Sequence, residues 1–114
     1  MLNFSDILRG YTDTIILAQL AKADGYGYSI SRQVQETTGG KVQLKEATLY
    51  TTFRRLEGLG MIESYWGDEQ AGARRRYYHL TPEGRKTYQE NCGDYRNFNH
   101  VISKLLGMEE KAYE

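Results

Sequence analysis

Residues 45–82 read KEATLYTTFRRLEGLG (45–60), MIESYW (61–66), GDEQAGA (67–73), RRRYYHL (74–80) and TP (81–82), and a change of period inside this stretch decides the fold. At 100° per residue, Leu49, Phe53, Leu56 and Gly60 fall on one side of the segment Lys45–Leu59, the mark of an amphipathic helix. Its opposite side carries Ala47, Thr51, Arg54 and Gly58, flanked by Thr48, Tyr50 and Arg55. After Gly60 the helical period gives way to two β-branched or aromatic runs, Met61–Trp66 and Arg75–Leu80. A glycine-bounded loop separates them, which predicts two short strands. Thr81-Pro82-Glu83 then supplies a hydroxyl at the N-cap, proline at the first helical position and an acid next to it, so a new helix starts there.

Outward from this stretch the chain is helical on both sides. Ile7, Leu8, Tyr11, Ile15 and Ala18 recur at three-four spacing and predict one long helix from about Ser5 to Ala23, ending at Asp24-Gly25. Ile30 and Val34 lie four apart on a second helix, Gly27–Thr38, which the pair Gly39-Gly40 ends. Val42 to Leu44 is either a strand stub or an extended lead-in. Downstream, Tyr88, Cys92, Tyr95, Phe98, Ile102 and Leu105 form a stripe along a helix from Pro82 to about Leu106. The order helix, helix, helix, hairpin, helix is that of a winged helix-turn-helix with an added C-terminal helix. The fold class is therefore mainly α with a small hairpin: a DNA-binding part over 1–81, an N-terminal helix extension included, and a dimerisation helix and tail over 82–114, built as one unit. In such folds the third helix lies in the DNA major groove and the hairpin loop reaches the neighbouring backbone.

Composition bounds the function. The chain has 114 residues, 15 Lys and Arg against 15 Asp and Glu, 39% hydrophobic and 12% aromatic residues, which fits one small folded domain rather than a disordered chain. The single Cys92 excludes an internal disulfide and favours a reducing, cytoplasmic home. The start of the chain lacks the pattern of a signal peptide, and the apolar run Ile15–Ala18 is far short of a membrane span. No metal or cofactor is expected: His79 and His100 are isolated, Cys92 sits on an apolar stripe, and the glycines mark element ends rather than a phosphate cradle. Nothing in the sequence suggests an enzyme.

Lys45, Thr48, Tyr50, Thr51, Arg54 and Arg55 are the candidate DNA contacts of the third helix, and Arg74 and Arg75 those of the hairpin. The competing readings are a solvated helix face and a charged edge strand. Over 45–81 six basic residues (Lys45, Arg54, Arg55, Arg74, Arg75, Arg76) face five acidic ones (Glu46, Glu57, Glu63, Asp68, Glu69). Binding to DNA therefore requires the charges to be sorted in space and the patch to be doubled. A terminal helix of about 37 Å overhangs so small a domain, which points to a two-fold dimer through Leu8, Tyr88, Tyr95, Ile102 and Leu105. Such a dimer would set two recognition helices about one DNA turn apart. A protein-interaction module on the same scaffold is the second reading of these features.

Tyr26-Gly27-Tyr28-Ser29-Ile30, Ala47-Thr48-Leu49-Tyr50, Arg54-Arg55-Leu56-Glu57, Gly60-Met61-Ile62 and Gly72–Tyr78 with Leu80-Thr81 and Gly84 occur in this order, and the chain so resembles the PadR family of bacterial transcriptional repressors. One C-terminal helix in place of a larger helical domain is similar to its smaller subfamily. Glu46–Tyr50, Ser64–Glu69 and Arg74–Leu80 look especially like the lactococcal multidrug-sensing regulator in that group. The resemblance implies a homodimer on palindromic promoter DNA, released by small aromatic or phenolic compounds that enter a pore at the dimer interface. Carried over by position, Tyr95 stands where that regulator has a tryptophan, with Cys92, Phe98 and Asn99 on the same helix and Ile7, Tyr11, Thr14 and Ala18 opposite. The missing indole leaves a smaller stacking platform. Thr51 likewise replaces the proline usual after the recognition-helix tyrosine.

Overall fold

The computed structural model describes residues 2–67 and 74–108. The elements are α1 (Phe4–Leu8), α2 (Thr12–Lys22), α3 (Gly27–Thr37), α4 (Glu46–Gly58), β1 (Ile62–Trp66), β2 (Arg76–Leu80) and α5 (Pro82–Leu105), so the fold is mainly helical with one antiparallel hairpin. β1 and β2 pair from Ile62 opposite Leu80 to Trp66 opposite Arg76. The expected loop at 67–73 with Asp68, Glu69, Gly72 and Ala73 lies, beyond Gly67, outside the described residues, as does the tail after 108. No described helix is long and apolar enough to cross a membrane.

The expected single helix over Ser5–Ala23 is corrected to two. Gly10 lies between them, and its carbonyl accepts a hydrogen bond from the Tyr95 hydroxyl at 2.5 Å instead of serving a helical ladder. Glycine's poor helix propensity lets the chain turn there, and the Tyr11 N–H closes the turn on the Leu8 carbonyl at 2.8 Å. Residues 42–44 are an extended lead-in to α4, not a strand. Val42 is buried, with its N–H donated to the Thr38 hydroxyl at 3.1 Å.

The core gathers Ile16, Leu17 and Leu20 of α2, Ile30 of α3, Leu49, Phe53 and Leu56 of α4, and Ile62, Tyr78 and Leu80 of the hairpin. Phe53, fully buried, stacks on Tyr78 with ring centroids 4.1 Å apart. This contact fixes α4 against the hairpin. α4 ends in a Schellman motif: Gly60 takes φ +76°, its N–H meets the Glu57 carbonyl at 3.0 Å, and the Met61 N–H meets that of Leu56 at 3.0 Å. Gly25 bridges Tyr78 from the α2–α3 turn, so the turn borders the hairpin as a third, one-residue rung.

α5 starts where the sequence places it. Thr81 caps it, accepting from the Gly84 N–H at 3.0 Å and donating to the Gly60 carbonyl at 2.7 Å. Further along, α5 packs on α2 and then leaves the core, and the molecule extends 55 Å along its longest axis. Gly84 is its one buried residue. Phe98, Val101, Leu105 and Leu106 are all at least half exposed, as is Phe4 of α1.

Candidate nucleic-acid interface

α4 divides as its periodicity predicts. Leu49, Thr52, Phe53 and Leu56 are buried, and Thr48, Thr51 and Arg54 are exposed, as are Ala47 and Gly58. The exposed side is thus small, hydroxylic and cationic, and Lys45 is exposed at its N-cap. Two expected contacts are engaged elsewhere. Arg55 forms an ion pair with Asp13 in the first turn of α2, which ties α4 to α2. Tyr50, though 42% exposed, sets its ring edge-on to Phe53 at 5.9 Å. Its hydroxyl lies against Gly27, where a Cβ would approach it to 3.2 Å. The tyrosine leans toward α3 because glycine leaves it room there.

The arginine triplet alternates. Arg76 donates to the Ser64 hydroxyl at 2.8 Å and to Glu57 at 3.4 Å, and Ser64 donates to Glu57 at 2.6 Å, so this arginine joins hairpin to α4. Arg74 lies over the Trp66 ring, 5.4 Å from its centroid. Arg75 turns to the other face and covers Tyr26 at 4.7 Å. Stacking on the indole face orients the Arg74 guanidinium.

Sequence reading missed a clamp on that second face. The Tyr65 hydroxyl donates to one oxygen of Asp24 at 2.6 Å, and His79 Nδ1 sits 2.8 Å from the other. The Tyr65 hydroxyl bond holds the Asp24 carboxyl below its ordinary range; burial opposes the shift and His79 assists it. The same bond pushes the Tyr65 hydroxyl up. His79, isolated in sequence, is therefore paired in space, and the hairpin is held to the α2–α3 turn. Among the described residues no His, Cys, Asp and Glu cluster of three or more could hold a metal.

The positions carried over as an effector pocket divide in two. Tyr11 and Tyr95 touch, with ring centroids 4.2 Å apart. Asn91 donates to the buried Thr14 hydroxyl at 2.9 Å, which reaches Tyr95 at 3.5 Å, and the Tyr11 hydroxyl reaches Asn99 at 3.5 Å. Ile7 and Phe98 are exposed, whereas Ala18 and Cys92 are half-buried. Of the expected dimer contacts, Tyr88 packs against the chain's own core, Leu8 and Ile102 are half-buried, and Leu105 is exposed.

The model of the transcriptional regulator PadR-like family matches residues 16–90. A solved transcriptional regulator from Clostridium thermocellum is 46% identical, with a TM-score of 0.81 over 87% of this chain and 96% of that one. A PadR family transcription regulator from Clostridium difficile is 38% identical, with a TM-score of 0.75 over 84% and 98%. Bacillus subtilis PadR, solved in complex with operator DNA, shares the fold at 23% identity, with a TM-score of 0.64 over 73% of this chain and 46% of that one. A family match that spans the winged-helix elements, joined to relatives similar along almost their whole lengths, shows that this chain belongs to the PadR-like family of transcriptional regulators.

Proposed function

We propose that the protein is a homodimeric repressor that binds a palindromic promoter site and is released by small planar aromatic compounds. The observation that carries the DNA reading is the exposed Thr48, Thr51 and Arg54 face of α4, mounted on a buried Leu49–Phe53–Leu56 side. Hydroxyls and guanidinium on such a face suit phosphates and guanine edges. Arg74, stacked on Trp66 at the loop end of the strands, adds a second contact. The operator complex of Bacillus subtilis PadR supports the same use of this fold.

The dimer follows from what the subunit leaves uncovered on α5 and its C-cap: Phe98, Val101, Leu105 and Leu106 are too apolar to face water together. Pairing the α5 helices about a two-fold axis buries them and repeats the α4 face. The aromatic effector is supported by Tyr11 and Tyr95, whose rings and hydroxyls offer stacking and hydrogen bonding next to that interface. Titration of the chain against its own promoter fragment and a random duplex of equal length tests the reading. A specific complex that weakens steeply with salt is expected, and equal affinity for both duplexes refutes it.

A further inference from the structure

We infer that α1 and the segment leading into α4 form a second phosphate-binding strip beside the recognition helix. Arg9 is its principal cation, and its ligand is the DNA backbone just outside the half-site. The inference rests on the DNA-binding reading above and extends it to a part of the chain that precedes the matched residues 16–90.

Two hollows adjoin at Arg9. One, of about 240 Å³, has Ser5 and Leu8 of α1 and Arg9 at its C-cap on one side and Lys41, Lys45 and Thr48 on the other. The second runs along the outer side of α4, between Arg9 with Thr12 and Thr48 with Thr51 and Arg55. Arg9, Thr12 and Thr48 line both, so the strip is continuous with the face assigned to DNA. The chain as a whole has as many acids as bases. Yet among the described residues no carboxylate lines either hollow, while Arg9, Lys41, Lys45 and Arg55 do, and Asp6 and Asp13, which pair with the two arginines, sit outside the lining. This is the spatial sorting of charge that a neutral DNA-binding chain requires.

Three further features favour a phosphate backbone. Arg9 is held by Asp6 at 2.9 Å, but both side chains are largely exposed, and such a pair yields readily to a competing anion. Arg9 is also firmly mounted, because the Tyr95 hydroxyl holds the next carbonyl, that of Gly10, and Asp13 is tied to Arg55. Finally, the cations come from the C-cap of α1, the lead-in and α4 and lie along open troughs rather than converging on one point, which suits successive phosphates better than a single free anion.

The test compares full-length protein and variants on two operator duplexes, one extending well past the half-sites and one cut at their outer edges, each over a range of salt. On the long duplex Arg9→Ala is expected to bind on the order of tenfold more weakly at low salt. Its log–log salt slope should be shallower by about one to two units for the two copies in a dimer. Arg9→Lys restores most of the slope, and Asp6→Asn, which frees the cation, strengthens binding. On the short duplex Arg9→Ala and the wild type should coincide. Wild-type slope and affinity for Arg9→Ala on the long duplex, with specific binding lost in Arg54→Ala, would overturn the strip and leave the recognition face standing. A wild-type chain that does not prefer operator to random duplex removes the DNA reading itself, and the strip with it. Inorganic phosphate that competes with wild type but not with Arg9→Ala, with an Arg9→Ala deficit equal on both duplexes, would instead mark a free-anion site and refute the backbone contact.

Discussion

Gly84→Ala sets two physical effects against each other. Gly84 sits in the first turn of α5, and alanine is the better helix former by about 1 kcal/mol, so propensity alone predicts a more stable protein. Packing predicts the reverse. A Cβ at this position would lie 2.0 Å from the Met61 carbonyl oxygen and 2.7 Å from Leu80 Cδ1, whereas a carbon rarely comes closer than about 3.3 Å to a carbonyl oxygen. The helix start must then move by more than about 1 Å relative to β1. That shift strains the joint made by Thr81, whose N–H meets the Met61 carbonyl at 3.1 Å and whose hydroxyl bonds the Gly60 carbonyl and the Gly84 N–H. Overpacking costs about 1–3 kcal/mol and a loosened cap about 1 kcal/mol; with the propensity gain subtracted, the net loss is about 1–3 kcal/mol. For 114 residues this corresponds to a fall in Tm of about 4–12 °C, read by circular dichroism at fixed protein concentration. Gly58→Ala is the control, because a Cβ there meets nothing within 4 Å; it should leave Tm unchanged or slightly raised. A Gly84→Ala melt at or above that of the wild type refutes the reasoning.

Acid should release the hairpin. The folded Asp24 carboxyl lies below its ordinary value, chiefly through Tyr65. The stability it contributes is therefore complete above about pH 4 and is lost as pH falls through the lowered folded value. Trp66 emission followed between pH 5 and 2 should show this loss, and Tyr65→Phe should flatten it; an identical acid limb counts against the clamp. Leu105→Asp removes two exposed leucines from the proposed dimer, at roughly 1.5–3 kcal/mol each. Sedimentation should show dimerisation weakened about 100-fold or more, with the subunit fold intact. Tyr95→Phe deletes the bond to Gly10 at a cost of about 1 kcal/mol, a Tm fall of about 4 °C; an unchanged melt would mean that water replaces the hydroxyl without loss.

Features written in neighbouring residues were legible. Thr81-Pro82-Glu83 starts α5 as read, and Gly60 stops α4, because a cap and a left-handed turn depend on a few consecutive positions. The same holds for the faces of α4, where the 100° period separates Phe53 from Arg54. What failed depended on distant partners. The turn between α1 and α2 is held by Tyr95, 85 residues from Gly10, while the three-four apolar spacing over 5–23 favours a continuous helix in which a lone Gly10 could still sit. Tyr50 leans inward because Gly27 on another helix makes space, and a helical wheel carries no such information. Asp24 and His79 lie 55 positions apart, so their pairing has no trace in spacing. The place of Arg9 beside Thr48 follows from the broken helix and was hidden with it.

The corner Arg9–Asp13 bounds how strongly an aromatic effector can act in the repressor proposed above. Gly10 and Tyr11 face α5 through Tyr95, whereas Arg9 and Thr12 line the trough beside α4 and Asp13 holds Arg55. A planar ligand that inserts between Tyr11 and Tyr95 must open rings 4.2 Å apart and release the Gly10 carbonyl. An aromatic pair is worth about 0.5–1.5 kcal/mol and a hydrogen bond about as much, so the corner stores roughly 1–3 kcal/mol per subunit. A ligand shifts an equilibrium only by its differential affinity for the two arrangements; where operator binding draws on the closed corner for no more than the free energy of these two contacts, opening it changes operator affinity about 5- to 150-fold per subunit. An all-or-none switch from 1:99 to 99:1 needs about 5.5 kcal/mol, which is reached only if both corners of a dimer open together at the top of that range. Release through this route is therefore graded when one site is filled and approaches completeness only when two are. Operator affinity measured against effector concentration should accordingly fall in two steps or with a Hill coefficient above one, and a single non-cooperative step down to complete release would exclude the corner as the path.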